Sequence, residues 1–212
     1  MRREEIARAA LKIIGIEGFK SLSTNRLARE VGLTPGALFR HFESLDAILL
    51  EAVRHAIRRV ESTFPSRSEP AGHRLFRLAA DRVDLLRSDP GLAWLLRSDQ
   101  AHLSLPTQAV EELREVIGRS KRYLQEAIRD GISERSLRGD LDPDALLLIV
   151  MGTIHALVRL PGAHGAAGAK VRTGPTDVLA TLKMMFAPAT PHVATQSRRP
   201  RGKPAIRRPN PR

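Results

Sequence analysis

The chain has 212 residues, 42% of them hydrophobic and 27% charged, which suits a soluble globular protein with a sizeable core. It contains no cysteine, so a disulfide framework, a thiolate metal site and a thiol nucleophile are all excluded. The formal net charge of +12 favours polyanionic partners, nucleic acid foremost.

The N-terminus, MRREEIARAA, is charged and amphipathic, without the apolar stretch of a signal peptide. Ile6, Ala9, Ala10, Ile13 and Ile14 recur at helical spacing, and Gly15 and Gly18 end that helix. Ser23 or Thr24 caps a second, short helix that turns Leu27, Ala28 and Val31 inward. Gly32 stops it by accepting a left-handed backbone. Thr34 is the next N-cap, and Pro35 takes the first helical position, where its missing N–H costs nothing. Leu38 and Phe42 face inward, leaving Pro35, Gly36, Ala37, Arg40 and His41 outside.

Two short helices joined around Gly32 to Thr34 read as a helix-turn-helix, whose second helix enters a groove about 12 Å wide. Small residues at its start bring backbone close to base edges, and free N–H groups there favour phosphate. A plain helical hairpin within a core fits the same residues. Asn25 and Arg26 open the preceding helix, within reach of phosphate or base edges or as part of a solvated face.

Further on, Ser44 caps a long helix with Ile48, Leu49, Ala52, Val53, Ala56, Ile57 and Val60 on one stripe. Pro65 to Gly72 is a loop. Helices follow over His73 to Arg87 and Gly91 to Arg97, parted by Ser88-Asp89-Pro90, then over Gln108 to Asp130. Asp142-Pro143 opens a helix that is apolar all round to Val158, so its own core must cover one side and a partner the other. That run is short of the roughly 18 residues needed to span a bilayer, and no membrane partner is expected.

Pro161 to Gly174 is a Gly/Ala-rich segment without phosphate-loop spacing and reads as a connector, and Thr176 to Met185 closes the folded part. No period-2 alternation is long enough for a sheet. The expectation is an all-α protein of about nine helices. From Pro188 to Arg212 there are seven Lys/Arg and no acid, which leaves 12 − 7 = +5 for the rest. With six prolines it cannot bury a core, so a disordered basic tail is predicted, either binding polyanion or passively solvated.

Gly18-Phe19, Ser23-Thr24, Leu27-Ala28, Gly32-Leu33-Thr34, Gly36-Ala37-Leu38-Phe39, His41-Phe42 and Leu49-Leu50 together resemble the DNA-binding domain of TetR/AcrR-family regulators, over roughly Arg3 to Ala52. A weaker likeness continues at Leu137 to Pro143. The resemblance implies a helix-turn-helix domain at 1–45, a helical ligand-binding and dimerisation domain at 46–187 and the tail at 188–212. It implies a homodimer on double-stranded DNA, joined through helices 143–159 and 176–185. It also implies release by a small hydrophobic or amphipathic ligand. Two departures stand out. The family commonly has Tyr at Phe39, its hydroxyl meeting a phosphate, and Lys at Leu45 for the same purpose; neither residue here donates a hydrogen bond from its side chain.

The candidate DNA contacts are thus Ser23, Thr24, Asn25, Arg26, Thr34, Pro35, Gly36, Ala37, Phe39, Arg40 and His41. Trp94, His102, Tyr123 and His155 are candidates for a ligand pocket, although each also suits a core position, and His155 an interface. No histidine spacing suits a metal, no nucleophile motif is present, and no cofactor or enzymatic activity is expected. Two functions fit a cytoplasmic, nucleoid-associated protein of this kind. One is a ligand-released repressor on a palindromic operator. The other is an inducer-free DNA-binding protein that marks many chromosomal sites or recruits a partner.

Overall fold

A computed structural model describes residues 2–98, 100–159 and 173–188. In chain order they form α1 (Arg2–Glu17), a 3-10 turn (Phe19–Ser21), α2 (Thr24–Glu30), α3 (Pro35–Leu38) and α4 (Leu45–Glu61). Then come α5 (Ala71–Ser88), α6 (Pro90–Arg97), α7 (Ala101–Ser104), α8 (Thr107–Ser133), α9 (Pro143–Arg159) and α10 (Pro175–Phe186). No strand occurs among the described residues, so the all-α expectation holds. The unexpected helix, α7, has four residues, too few to show a period. The expected connector and basic tail lie outside the described residues, apart from 173–174 and 188. Among the described residues no helix is long and apolar enough to cross a membrane.

Side-chain caps set the helix starts. The hydroxyls of Ser23, Thr34 and Ser44 accept from the backbone N–H of Arg26, Ala37 and Ala47 at 3.2, 3.1 and 3.0 Å. Asp89 does the same for α6, accepting from Leu92 N–H at 2.9 Å. Each such cap contributes about 1 kcal/mol.

Two apolar clusters hold the helices together. In the first, Ile6, Ala10, Ile13 and Ile14 of α1 pack with Leu27, Leu38 and Phe42, with Ile48, Leu49 and Val53 of α4, and with Leu92 and Leu95 of α6. In the second, Leu75 and Leu78 of α5 and Leu124 and Ile128 of α8 meet Leu146, Val150 and Ile154 of α9 and Leu182 and Phe186 of α10. The 27-residue α8, roughly 40 Å long, joins both, since its Leu113 and Val116 belong to the first. The apolar packing therefore does not break at residue 46.

Where α1 meets α6 the two backbones touch. A Cβ added at Gly91 would lie 2.1 Å from the Leu11 carbonyl oxygen, and one at Gly15 would lie 2.3 Å from the Gly91 nitrogen. Beside this contact Phe19 and Trp94 stack, with ring centroids 5.5 Å apart and planes 13° from parallel. Gly91→Ala should therefore push α1 off α6. A loss of about 1–3 kcal/mol is expected, the usual cost of overpacking, read as a lower urea midpoint. An unchanged midpoint would contradict this contact.

Candidate nucleic-acid interface

The turn between α2 and α3 closes through the backbone. Leu33 N–H donates to the Ala28 carbonyl at 2.8 Å and Gly32 N–H to that of Arg29 at 3.3 Å. This paired closure is a Schellman motif, which needs a left-handed residue in the middle, and Gly32 supplies it with φ +65°. Two arginines of α1 brace the unit from behind. Arg2 donates to the Val31 carbonyl at 2.9 Å, and Arg3 to the His41 carbonyl at 2.6 Å, with its guanidinium 4.1 Å from the Phe42 ring centroid. The sequence reading missed both. Their signal was two adjacent cations ahead of the first apolar helix position, which composition alone does not distinguish from a solvated helix end.

Leu38 is fully buried and Phe42 nearly so, which fixes the roll of α3. Thr34, Pro35, Gly36, Phe39 and Arg40 are then exposed, while Ala37 and His41 are half-buried. The α-helical part of α3 is one turn of four residues. Past it, Arg40 and His41 N–H bond the carbonyls of Ala37 and Leu38, three residues back, so the chain continues as tightened turns to Phe42. Phe39 presents an apolar ring to solvent, 46% exposed. At the start of α2, Ser23 and Asn25 are exposed and Thr24 is half-buried. Leu45 is half-buried against the first cluster, so its position serves packing.

Arg26 requires a correction. Expected at the DNA surface, its guanidinium instead binds both carboxylate oxygens of Glu17, at 2.5 and 3.1 Å, and Glu30 at 2.8 Å. Lys12 reaches the other Glu30 oxygen at 2.7 Å. The Arg26 hydrogen bonds hold the Glu17 carboxyl below its usual range, and those of Lys12 and then Arg26 do so for Glu30. Arg26 thus ties α2 to the end of α1. The exposed cation of α2 is Arg29, one helical turn further on, and its Nε donates only a long bond, 3.4 Å, to the Asn25 carbonyl.

The ligand-pocket candidates disperse. Trp94 sits at the α1–α6 seam on Phe19, and His102 lies half-buried on α7. His155 is on the exposed side of α9, so neither a pocket nor a core position describes it. Tyr123 lines an open groove of about 430 Å³ where the α4–α5 junction meets the middle of α8. Its hydroxyl donates to the Pro65 carbonyl at 2.7 Å. The groove's other residues, including Phe64, Arg119 and Arg122, carried no sequence signal, because the tertiary fold brings together positions about sixty residues apart.

A braced helix-turn-helix on a larger helical body defines a DNA-binding regulatory protein. Residues 6–52 match the sequence pattern of the bacterial regulatory proteins of the tetR family. The chain is 27% identical over 169 residues to the nucleoid occlusion factor SlmA of Marinobacter nauticus, covering 74% of this chain and 84% of that protein. Its fold superposes on the ketosteroid transcriptional regulator KstR2 of Mycobacterium tuberculosis with a TM-score of 0.71, at 18% identity, covering 88% of this chain and 95% of that one. It also superposes on AibR, solved with isovaleryl coenzyme A and operator DNA, with a TM-score of 0.69 at 16% identity, covering 88% and 98%. Residues 6–52 thus carry the DNA-binding domain of the tetR family of bacterial regulatory proteins, on a chain whose fold is that of TetR-family regulators.

Gly36 offers a test of the interface that is separate from folding. A Cβ there meets nothing within 4 Å inside the protein. Gly36→Ala should leave thermal stability equal or raise it by about 0.5–1 kcal/mol, while lowering operator affinity because the methyl group meets DNA. Gly36→Glu should keep the helical spectrum and abolish specific binding. Full operator affinity in Gly36→Glu, measured by fluorescence anisotropy, would remove α3 from the interface.

Proposed function

We propose that the chain is a homodimeric repressor that reads a palindromic operator and is released by a small amphipathic ligand. The observation that carries the reading is the exposed small-residue start of α3, Thr34-Pro35-Gly36, held rigidly by the Gly32 turn and the α1 arginines. Backbone there approaches base edges, as a helix in the major groove requires. In this reading residues 1–45 bind DNA and 46–187 regulate and dimerise. Ser23, Thr24, Asn25, Thr34 and Arg40 contact the phosphate backbone, and Pro35, Gly36 and Ala37 lie against the bases. Phe39 packs on sugar or a thymine methyl group in place of a phosphate hydrogen bond. The coenzyme A thioester bound to AibR supports an amphipathic ligand in the helical body.

Dimerisation rests on the outward side of α9 and α10. Leu148, Ile149, Met184 and Met185 are 70%, 46%, 71% and 60% exposed, a large amount of apolar surface for two adjacent helices. Pairing with the same side of a second copy buries them symmetrically. Ile149→Arg should give a folded monomer with weakened DNA binding. Ile154→Arg, at a position 6% exposed, should unfold the protein, because it places an unpaired charge in the core. Sedimentation and circular dichroism separate the two outcomes, and a wild-type monomer at micromolar concentration would rule out the dimer.

The likeness to SlmA favours a second reading, an inducer-free protein that binds scattered chromosomal sites. Mapping bound sites across the host chromosome decides between them: a few promoters support the repressor, and dispersed sites support the alternative. The seven basic residues after Pro188 serve either function as diffuse phosphate counterions. A chain ending at Pro188 should stay folded and dimeric yet bind operator and random DNA more weakly. Its salt dependence should be shallower by a fraction of about 0.9 per phosphate released. An unchanged slope would make these residues passive.

A further inference from the structure

We propose that the groove between the α4–α5 junction and the middle of α8 binds a small organic oxyanion carrying an apolar or aromatic body; this deepens, and rests on, the ligand-responsive reading above. The groove has an aromatic floor and cationic walls. Phe64 and Tyr123 form the floor, with ring centroids 5.1 Å apart and planes tilted by 48°. Arg67, Arg119 and Arg122 line it with two acids, Glu61 and Glu126.

The charges do not balance. Arg67 pairs with Glu126 at 2.7 Å and Arg119 with Glu61 at 2.6 Å, whereas Arg122 has no ion pair among the described residues. The Nε of Arg119, a residue of the groove wall, is buried with no hydrogen-bond partner. A fourth guanidinium, that of Arg82, lies behind the floor, 5.6 Å from the Phe64 ring centroid. Arg82 is 8% exposed and donates only to neutral oxygens: Thr63 Oγ1 at 3.0 and 3.2 Å, Ser120 Oγ at 3.3 Å and the Val60 carbonyl at 3.4 Å. Both hydroxyls donate their protons to backbone carbonyls, Thr63 to Val60 and Ser120 to Val116, so their lone pairs are aimed at Arg82. Burial pushes the Arg82 pKa down to about 10, still far above neutrality, so the cation remains.

Three arginines thus line the cleft with two carboxylates, and a fourth lies buried behind its aromatic floor. A buried cation without a counter-charge is costly unless an anion approaches it. An oxyanion can take donors of Arg122 and of the exposed part of the Arg119 guanidinium in charge-assisted bonds, and its apolar part can lie on Phe64 and Tyr123. Operator DNA is not the occupant. α4 has 17 residues, so roughly 25 Å separates the helix-turn-helix at its start from the groove at its end. Nor is a second copy, because among the described residues no groove residue is an exposed large hydrophobic, whereas Leu148, Ile149, Met184 and Met185 of α9 and α10 are.

The test uses 8-anilinonaphthalene-1-sulfonate, an aryl oxyanion, titrated into the full chain without DNA. Saturable binding of one probe per chain is expected, with displacement by inorganic pyrophosphate. Arg122→Glu should weaken it by about tenfold or more, as loss of a charge-assisted contact predicts. Arg114→Glu, an equal charge change at another exposed position of α8, should leave it unaltered. Probe bound to apolar surface elsewhere would be equal in all three proteins. Equal binding in Arg122→Glu and wild type, equal loss in both variants, or no displacement by pyrophosphate would overturn the proposal. Operator affinity is measured separately, so failure of the groove site and failure of DNA recognition are distinguishable.

Discussion

The contact between the backbones of α1 and α6 sets the position of everything on the DNA-facing side. Gly15 and Gly91 let two helices meet at a distance no side chain would permit. Closeness of that kind leaves no room to slide, because displacement in either direction drives a carbonyl or a Cβ into the opposing chain. α1 is thereby fixed on the helical body. It carries in turn the two arginines that brace α2 and α3 and the Glu17 that takes Arg26. The orientation of a single-turn α3, too short to hold itself, is inherited through α1 from this glycine pair.

That arrangement changes how the positive charge of the N-terminal region is to be understood. Arg2, Arg3, Lys12 and Arg26 are all occupied within the protein, by carbonyls or carboxylates. Among the described residues of this region, Arg8, Lys20, Arg29 and Arg40 remain exposed without an ion pair. Affinity for phosphate then has to come from helix N-termini, hydroxyl caps and diffuse charge elsewhere on the chain, more than from a dense basic patch.

Local features were legible in the sequence and long-range ones were not. Ser23, Thr34, Pro35, Gly32 and Ser44 announce helix ends through chemistry within four residues, and each occupies the cap or turn expected of it. The doubly apolar character of α9 was equally plain, and the structure splits it into a buried side with Ile154 and an exposed side with Leu148. Arg26 was misread because its partners Glu17 and Glu30 flank it from another helix and from its own next turn, a geometry that spacing alone does not rank above solvent. The pocket failed for a similar reason. Single aromatics suggested Trp94 and Tyr123 equally, but only packing shows that one closes a seam and the other floors a groove.

α4 is the element that connects groove and interface, and beside its buried apolar stripe it is tied to neighbouring helices by ion pairs. Arg54 grips Glu112 of α8 through both carboxylate oxygens, at 2.7 and 3.0 Å. Arg59 pairs with Asp89, which also caps α6 beside the glycine contact. Glu61, at the last turn, holds Arg119 in the groove wall. Pairs of this kind exchange partners at small net cost, unlike the buried apolar stripe on the other side of the helix. Asp89 and Pro90 thus link α4 to the glycine pair that positions α1.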